Sequence, residues 1–150
     1  MKWTVKTFEQ LSIQELYEIM SLRVEVFVVE QECPYQELDG KDQEAYHLLG
    51  RKNGELVAYS RLFKRGKAAK DASIGRVIVK ESVRKEGIGK ALLTESIAYL
   101  EKQLQENVIV IHAQLYLQEF YQSFGFKPIS DVYLLDGIHH LDMRRRGSDE

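Results

Sequence analysis

The most constraining stretch of this chain runs from residue 72 to residue 100, ASIGRVIVKESVRKEGIGKALLTESIAYL. A β-branched run comes first, then a charged turn holding Gly87 and Gly89, then apolar residues at helical spacing. The strand IGRVIV lies behind that turn and the helix KALLTESIAYLEKQL ahead of it. Glycine weakens a helix by about 1 kcal/mol relative to alanine. Two of them at a helix entrance therefore point to a demand of the backbone at this place.

Three phosphate-handling templates compete for GIGK. A Walker loop, G-x-x-x-x-G-K-S/T, would put a glycine where Arg84 stands and a hydroxyl where Ala91 stands, so it fails twice. The dinucleotide fingerprint G-x-G-x-x-G fails at its third glycine, where the chain has Leu92. The third, R/Q-x-x-G-x-G/A between a strand and a long helix, is met by Arg84, Gly87 and Gly89. Bare glycine backbone lets a phosphate approach the free N–H groups and the positive dipole end of the helix. Arg84 and Lys90 could add charge. The residues alone leave a plainer reading open, in which the glycines only shape a tight turn and the cations are solvated.

Other segments supply a mixed α/β order without repeats or low-complexity linkers. Trp3, Val5 and Phe8 read as a short strand. Ile13, Leu16, Tyr17, Met20, Val24, Phe27 and Val28 predict one apolar face of a helix. Ser12 and Glu15 form its capping box, and Pro34 lies beyond its end. CPYQELDGKDQE, residues 33–44, reads as a polar loop. Asn53-Gly54 predicts a hairpin, NVIVIHA a central strand, LYLQEFYQSFGF a short helix ended near Gly125, and Asp136-Gly137 the turn of a terminal hairpin. Residues 144–150 read as a frayed tail. The expected fold is α/β (α+β): a single domain whose mixed central sheet of about six to seven strands is flanked by helices.

Composition narrows the function. The chain has 150 residues, 44% hydrophobic and 29% charged, with a formal charge of −2. That gives no electrostatic basis for non-specific nucleic-acid binding. One cysteine, Cys33, precludes an internal disulfide and fits a reducing compartment. Neither a secretory leader nor a membrane span is readable, so a cytoplasmic location is expected.

IGRVIVKESVRKEGIGKALL resembles the acetyl-CoA-binding motif of the GNAT N-acetyltransferases. QLYLQEFYQSFGF, after the next strand, resembles their second signature, commonly N-x-x-A-x-x-x-Y-x-x-x-G-F. LRVEVFVVEQECPYQELDG and VYLLDGIHHLDM are similar to the ElaA-like branch, so the resemblance spans nearly the whole chain. It implies a sheet splayed between IGRVIV and NVIVIHA, with acetyl-CoA as cosubstrate in the gap and no metal. Backbone groups of Val77, Ile78 and Val79 would pair with the pantetheine, one N–H facing the thioester oxygen. Arg84, Lys85, Glu86, Gly87, Ile88, Gly89 and Lys90 would hold the pyrophosphate. Tyr121 would protonate the leaving thiolate, and Gln114 would touch the cofactor. Two departures stand out: Gln114 replaces the usual Asn, and Glu86 puts a carboxylate inside the phosphate loop.

The implied activity is transfer of acetyl to a primary amine of a small molecule or peptide. A catalytically silent CoA sensor is the alternative, and a relative of acyl-homoserine-lactone synthases a more distant one. The base is not readable: Glu30, Asp39, His47, His112 and water all qualify. Glu30, Glu32, Glu37 and Asp39 would suit a cationic amine or simply form a solvated acidic face. His139-His140 is discounted as a metal pair because adjacent strand residues point to opposite faces. Cys33 reads as a loop thiol. An exposed strand edge or the terminal hairpin could support a homodimer.

Overall fold

The computed structural model describes residues 1–147. In chain order the strands are β1 (Lys2–Thr7), β2 (Tyr46–Lys52), β3 (Glu55–Phe63), β4 (Ala72–Val79), β5 (Val108–Gln114), β6 (Lys127–Pro128), β7 (Tyr133–Leu135) and β8 (Ile138–Arg146). Helix α1 (Ile13–Arg23) follows β1, α2 (Ile88–Ala98) follows β4, and α3 (Gln118–Gln122) follows β5. Among the described residues these strands make one sheet in the order β1-β2-β3-β4-β5-β8-β6, with β7 also paired to β8. The count exceeds the expected six to seven because β6 and β7 are only two and three residues long.

Local chemistry accounts for most boundaries. Ser12 Oγ accepts from the Glu15 amide at 3.0 Å, and Glu15 Oε1 accepts from the Ser12 amide at 2.8 Å, closing the capping box that starts α1. The β2–β3 turn places Asn53 and Gly54 at φ +53° and +83°, and the β7–β8 turn places Asp136 and Gly137 at +51° and +77°. Both are the positive-φ pairs that tight hairpins require. Arg144–Arg146, expected to fray, instead finish β8 by pairing with Val110, Ile109 and Val108. Ser148, Asp149 and Glu150 lie outside the described residues. No helix among those described is long and apolar enough to cross a membrane.

The sheet is covered on both faces. Leu93, Ile97 and Leu100 pack with Ile74, Ile109, Ile111 and Phe126 on one side. Ile19, Leu22 and Val26 pack with Leu49, Tyr59 and Ile78 on the other. The second face corrects the sequence expectation for α1. Ile13 and Tyr17 are 90% and 71% exposed, and the buried stripe is Ile19, Leu22, Arg23 and Val26. Counting apolar residues alone rotated the face, because a fully buried arginine sits in the middle of it. Beyond Arg23 the helix loosens into π turns over Val24–Glu30, with the Gln31 amide reaching back to the Val26 carbonyl.

Arg23 explains residues 33–44 as well. Its Nε donates to Glu37 Oε2 at 2.7 Å and its Nη1 to Asp42 Oδ1 at 2.6 Å. Arg61 holds Asp39 at 2.8 and 2.9 Å and Asp42 at 2.9 Å. Arg76 donates to Glu37 Oε2 at 2.7 Å. The loop therefore carries an ionic layer in which Glu37, Asp39 and Asp42 are matched by arginines from α1, β3 and β4; Glu37 and Asp42 are buried, while Glu30, Glu32 and Asp39 stay on the exposed surface.

This layer sets the response to acid. Burial raises the Asp39 and Asp42 carboxyls, but hydrogen bonds and charge from Arg61 and Arg23 more than reverse that and hold both below the usual range. Burial lowers His47, which stays neutral with both ring nitrogens engaged. In each case the unfolded chain binds more protons, so stability falls as pH falls. Thermal melting should decline in two stages, from about pH 6.5 through His47 and again below about pH 4 through the two carboxyls. His47→Gln should remove the first stage and leave the second; an unchanged upper stage would show that another group causes it.

Candidate active site

β4 and β5 run parallel but pair only at Ala72 with Ile109 and Ser73 with Val110. From there β4 follows β3 as far as Val79, while β5 follows β8 as far as Gln114 opposite His140. The strands part like a wedge, and the β5-facing edge of β4 beyond Ser73 has no strand partner. A groove of about 840 Å³ occupies the opening, its wall including Val77, Ile78, Val79, Gly89, Gln114 and Tyr121.

The edge of β4 is bent as well as unpaired. Gly75 pairs with Arg61 and Ile78 with Tyr59, leaving Arg76 and Val77 together opposite Ser60. Such a bulge re-aims the backbone. Arg76 takes φ +49° to make it, a conformation disfavoured for a residue with a Cβ. Its guanidinium is tied to the Glu37 carboxylate and, at 3.1 Å, to the Glu37 carbonyl. The ionic layer thus holds the bulge at the groove.

At the mouth, Lys85 and Gly87 stand at φ +74° and +80°, and Gly87 begins α2 without a side-chain cap. The first helical bond runs from the Ala91 amide to the Gly87 carbonyl at 3.2 Å, so the amides of Ile88, Gly89 and Lys90 precede any intrahelical acceptor. A Cβ on Gly87 would meet nothing within 4 Å, so its glycine is required by φ. A Cβ on Gly89 would sit 3.8 Å from Phe120 and 3.9 Å from Val79, contacts the protein tolerates. Gly89 instead leaves the groove wall bare.

The side chains of this turn divide. Glu86 is turned onto Lys52 at 2.7 Å, which removes the expected clash with an anion. Ile88 is buried in the core and offers only its backbone. Lys85 and Lys90 are exposed. Arg84, expected on the pyrophosphate, is a strut: Nε donates to the Val79 carbonyl at 2.9 Å, and its two terminal nitrogens clasp Glu30 at 2.6 and 3.0 Å. Gln114 exchanges amide hydrogen bonds with Gln31 at 3.2 and 3.3 Å, closing the groove floor against the π segment.

Tyr121 is 3% exposed and packs edge-on between Phe120 and Phe126, at 5.3 and 6.0 Å between ring centroids. Its hydroxyl makes no hydrogen bond among the described residues, and burial keeps the phenol protonated well above its usual range. Cys33 is buried and donates from Sγ to the Asp136 carbonyl at 3.2 Å. His139 and His140 face opposite sides of β8, with His140 stacked on Tyr133.

The candidate bases separate sharply. Glu30 is clasped by Arg84, Asp39 by Arg61, and His47 is fully buried between Tyr59 and the Asp42 carbonyl. His112 alone of these four is exposed on the groove without an arginine partner. Around it stand Asp142 and Tyr133, which the sequence does not single out, and His140, which in sequence is readable only as half of a discounted metal pair. The alternation of the last strand, which puts Asp142 and His140 on one face, was the available signal.

A profile described as an acetyltransferase (GNAT) domain matches residues 7–146. The chain belongs to the GNAT acetyltransferase family. Protein ElaA of Escherichia coli strain K12 is 43% identical over 146 residues, 96% of this chain and 95% of that one. A crystal structure of Escherichia coli ElaA matches with a TM-score of 0.90 at 42% identity, covering 97% of this chain and 99% of that one. An acyl-CoA N-acyltransferase from Pseudomonas aeruginosa matches at 0.91 and 39% identity with the same coverage. Within that family the chain is ElaA-like. Two distant structures share the fold. One is a GNAT acetyltransferase from Elizabethkingia anophelis with acetyl-CoA bound (TM-score 0.69, 17% identity, 97% of each chain). The other is the acyl-homoserine-lactone synthase LasI (0.78, 14% identity, 97% of this chain and 89% of that one).

Proposed function

We propose that this protein transfers acetyl from acetyl-CoA to a primary amine by direct attack through a tetrahedral intermediate. The observation that carries the reading is the wedge between β4 and β5, which leads from an unpaired, bulged strand edge to the uncapped start of α2. An extended pantetheine has the shape and hydrogen-bonding groups to pair with Val77–Val79 as a further strand. The amides of Ile88, Gly89 and Lys90 would hold the diphosphate, with Lys85 and Lys90 as nearby cations that make no ion pair among the described residues. Arg84 acts here by pinning the turn to the π segment through Glu30. A β4 amide facing the thioester oxygen stabilises the oxyanion; one such donor is typically worth roughly 3–4 kcal/mol of barrier. The acceptor is a small molecule or peptide amine entering from the α1 side.

Release of CoA thiol across a panel of primary amines tests the reading. Tight acetyl-CoA binding with no release from any amine would favour the sensor, and turnover requiring S-adenosylmethionine would favour the lactone synthase. The phosphate turn has its own test. Gly87→Ala at φ +80° strains the turn by about 1–2 kcal/mol, which should weaken acetyl-CoA binding about tenfold by calorimetry. Unchanged affinity would place the diphosphate elsewhere.

A further inference from the structure

The α1 side of the groove carries a cross-strand cluster that lies outside the two GNAT signatures. His112 on β5 stands opposite Asp142 on β8, with Nδ1 2.6 Å from Asp142 Oδ1. Tyr133 on β7 donates its hydroxyl to the same oxygen at 2.5 Å, and the Asp142 amide donates to Ser130 Oγ at 2.9 Å. The carboxylate is an acceptor, so Nδ1 carries the hydrogen and Nε2 of the neutral ring carries the lone pair. Among the described residues Nε2 has no hydrogen-bond partner.

Position completes the argument. His112 lies two residues beyond Val110, the last β5 residue paired with β4, and so borders the narrow end of the wedge. Val110, His112 and Gln114 share one face of β5, the face on which Gln114 meets Gln31. Ile109, Ile111 and Ala113 share the other, in the cluster that contains Tyr121. A proton acceptor and a proton donor thus flank β5 from opposite faces, at the gap where the thioester would lie.

We propose that His112 is the general base of the transfer and Asp142 its positioning residue. The inference rests on the transferase reading above. His112 Nε2 takes the proton leaving the amine nitrogen while that nitrogen's lone pair forms the C–N bond and the carbonyl π pair moves to oxygen. When the C=O re-forms, the C–S pair leaves on sulfur, which takes the Tyr121 proton. Solvent then carries the proton from the imidazolium to the tyrosinate, so amine and thioester become amide and thiol. His140 fits the role less well, because its Nδ1 meets the Ile138 carbonyl at 2.8 Å. A carbonyl fixes the tautomer, but it lacks the negative charge with which Asp142 steadies an imidazolium.

The titratable and charged groups facing His112 are Asp142, His140 and Arg144 on β8 and Tyr133 on β7, with Arg76 of β4 lining the same groove. Of these the carboxylate is in direct contact.

The test measures kcat and kcat/KM against pH for the parent, His112→Gln, Asp142→Asn and His140→Gln. The amines are an alkylamine, a diamine, a phenylethylamine and a tripeptide, with acetyl-CoA affinity by calorimetry as the check on folding. His112→Gln should lose about 10²-fold or more in kcat, lose the acidic limb of the profile, and bind acetyl-CoA within about twofold of the parent. Asp142→Asn should lose less, with the loss falling in kcat rather than in KM or acetyl-CoA affinity, because an amide can still hold the ring but supplies no charge opposite it. Full turnover with the limb intact in His112→Gln overturns the proposal alone, as does loss of the limb only in His140→Gln. A parent that binds acetyl-CoA but acetylates none of the amines overturns the transferase reading, and this inference with it.

Discussion

Arg23→Met should melt about 10 °C or more below the parent. The Arg23 side chain is fully shielded from solvent and bonds to Glu37 and Asp42, which are nearly as buried. The layer joins three arginines, Arg23, Arg61 and Arg76, to three carboxylates, Glu37, Asp39 and Asp42. Removing Arg23 leaves Glu37 only Arg76 and Asp42 only Arg61, and leaves the layer with one negative charge in excess beside two largely buried carboxylates. Breaking such a pair typically costs about 3–5 kcal/mol, even though building it contributed much less. Adding Glu37→Gln restores the charge balance and should recover part of the loss, which a double-mutant cycle in urea would measure. A shift of under about 1 kcal/mol in Arg23→Met would mean that the layer relaxes or hydrates freely.

Tyr121→Phe should lower kcat by about 10²–10⁴-fold while leaving the acetyl-CoA dissociation constant nearly unchanged. The two effects separate because the ring and the hydroxyl do different things. The ring packs against Phe120 and Phe126, and phenylalanine preserves both contacts. The hydroxyl bonds to nothing in the described protein, so its removal leaves no orphaned partner and melting should stay within about 0.5 kcal/mol of the parent. On the proposed mechanism, what is lost is the proton that burial keeps on the phenol and that the departing sulfur would take. Parallel losses of turnover and affinity would instead assign Tyr121 to packing alone.

Residues whose roles depend on close neighbours are legible in the sequence. The strand–turn–helix at 72–100, the Ser12–Glu15 box and the turns at Asn53-Gly54 and Asp136-Gly137 each rest on interactions within a few positions. The bonds that define the site span greater distances: Arg84 and Glu30 are separated by 54 residues, His112 and Asp142 by 30, and Arg76 and Glu37 by 39. Which carboxylate meets which arginine is a matter of three-dimensional closeness that no local pattern encodes. For that reason Glu30, Asp39, His47 and His112 looked equivalent as bases until their partners were known, and Arg84 looked free.

Taken alone, the sequence determined the family, the order of elements and the glycine turn at α2, because backbone conformation and hydrophobic period are written locally. Tertiary structure decided that Arg23 faces inward, that Glu37 and Asp42 of the 33–44 loop are buried against arginines, and that His112 Nε2 has no hydrogen-bond partner among the described residues. These outcomes follow from desolvation: a charge enters the interior only where folding delivers its partner, and chain separation does not predict the delivery.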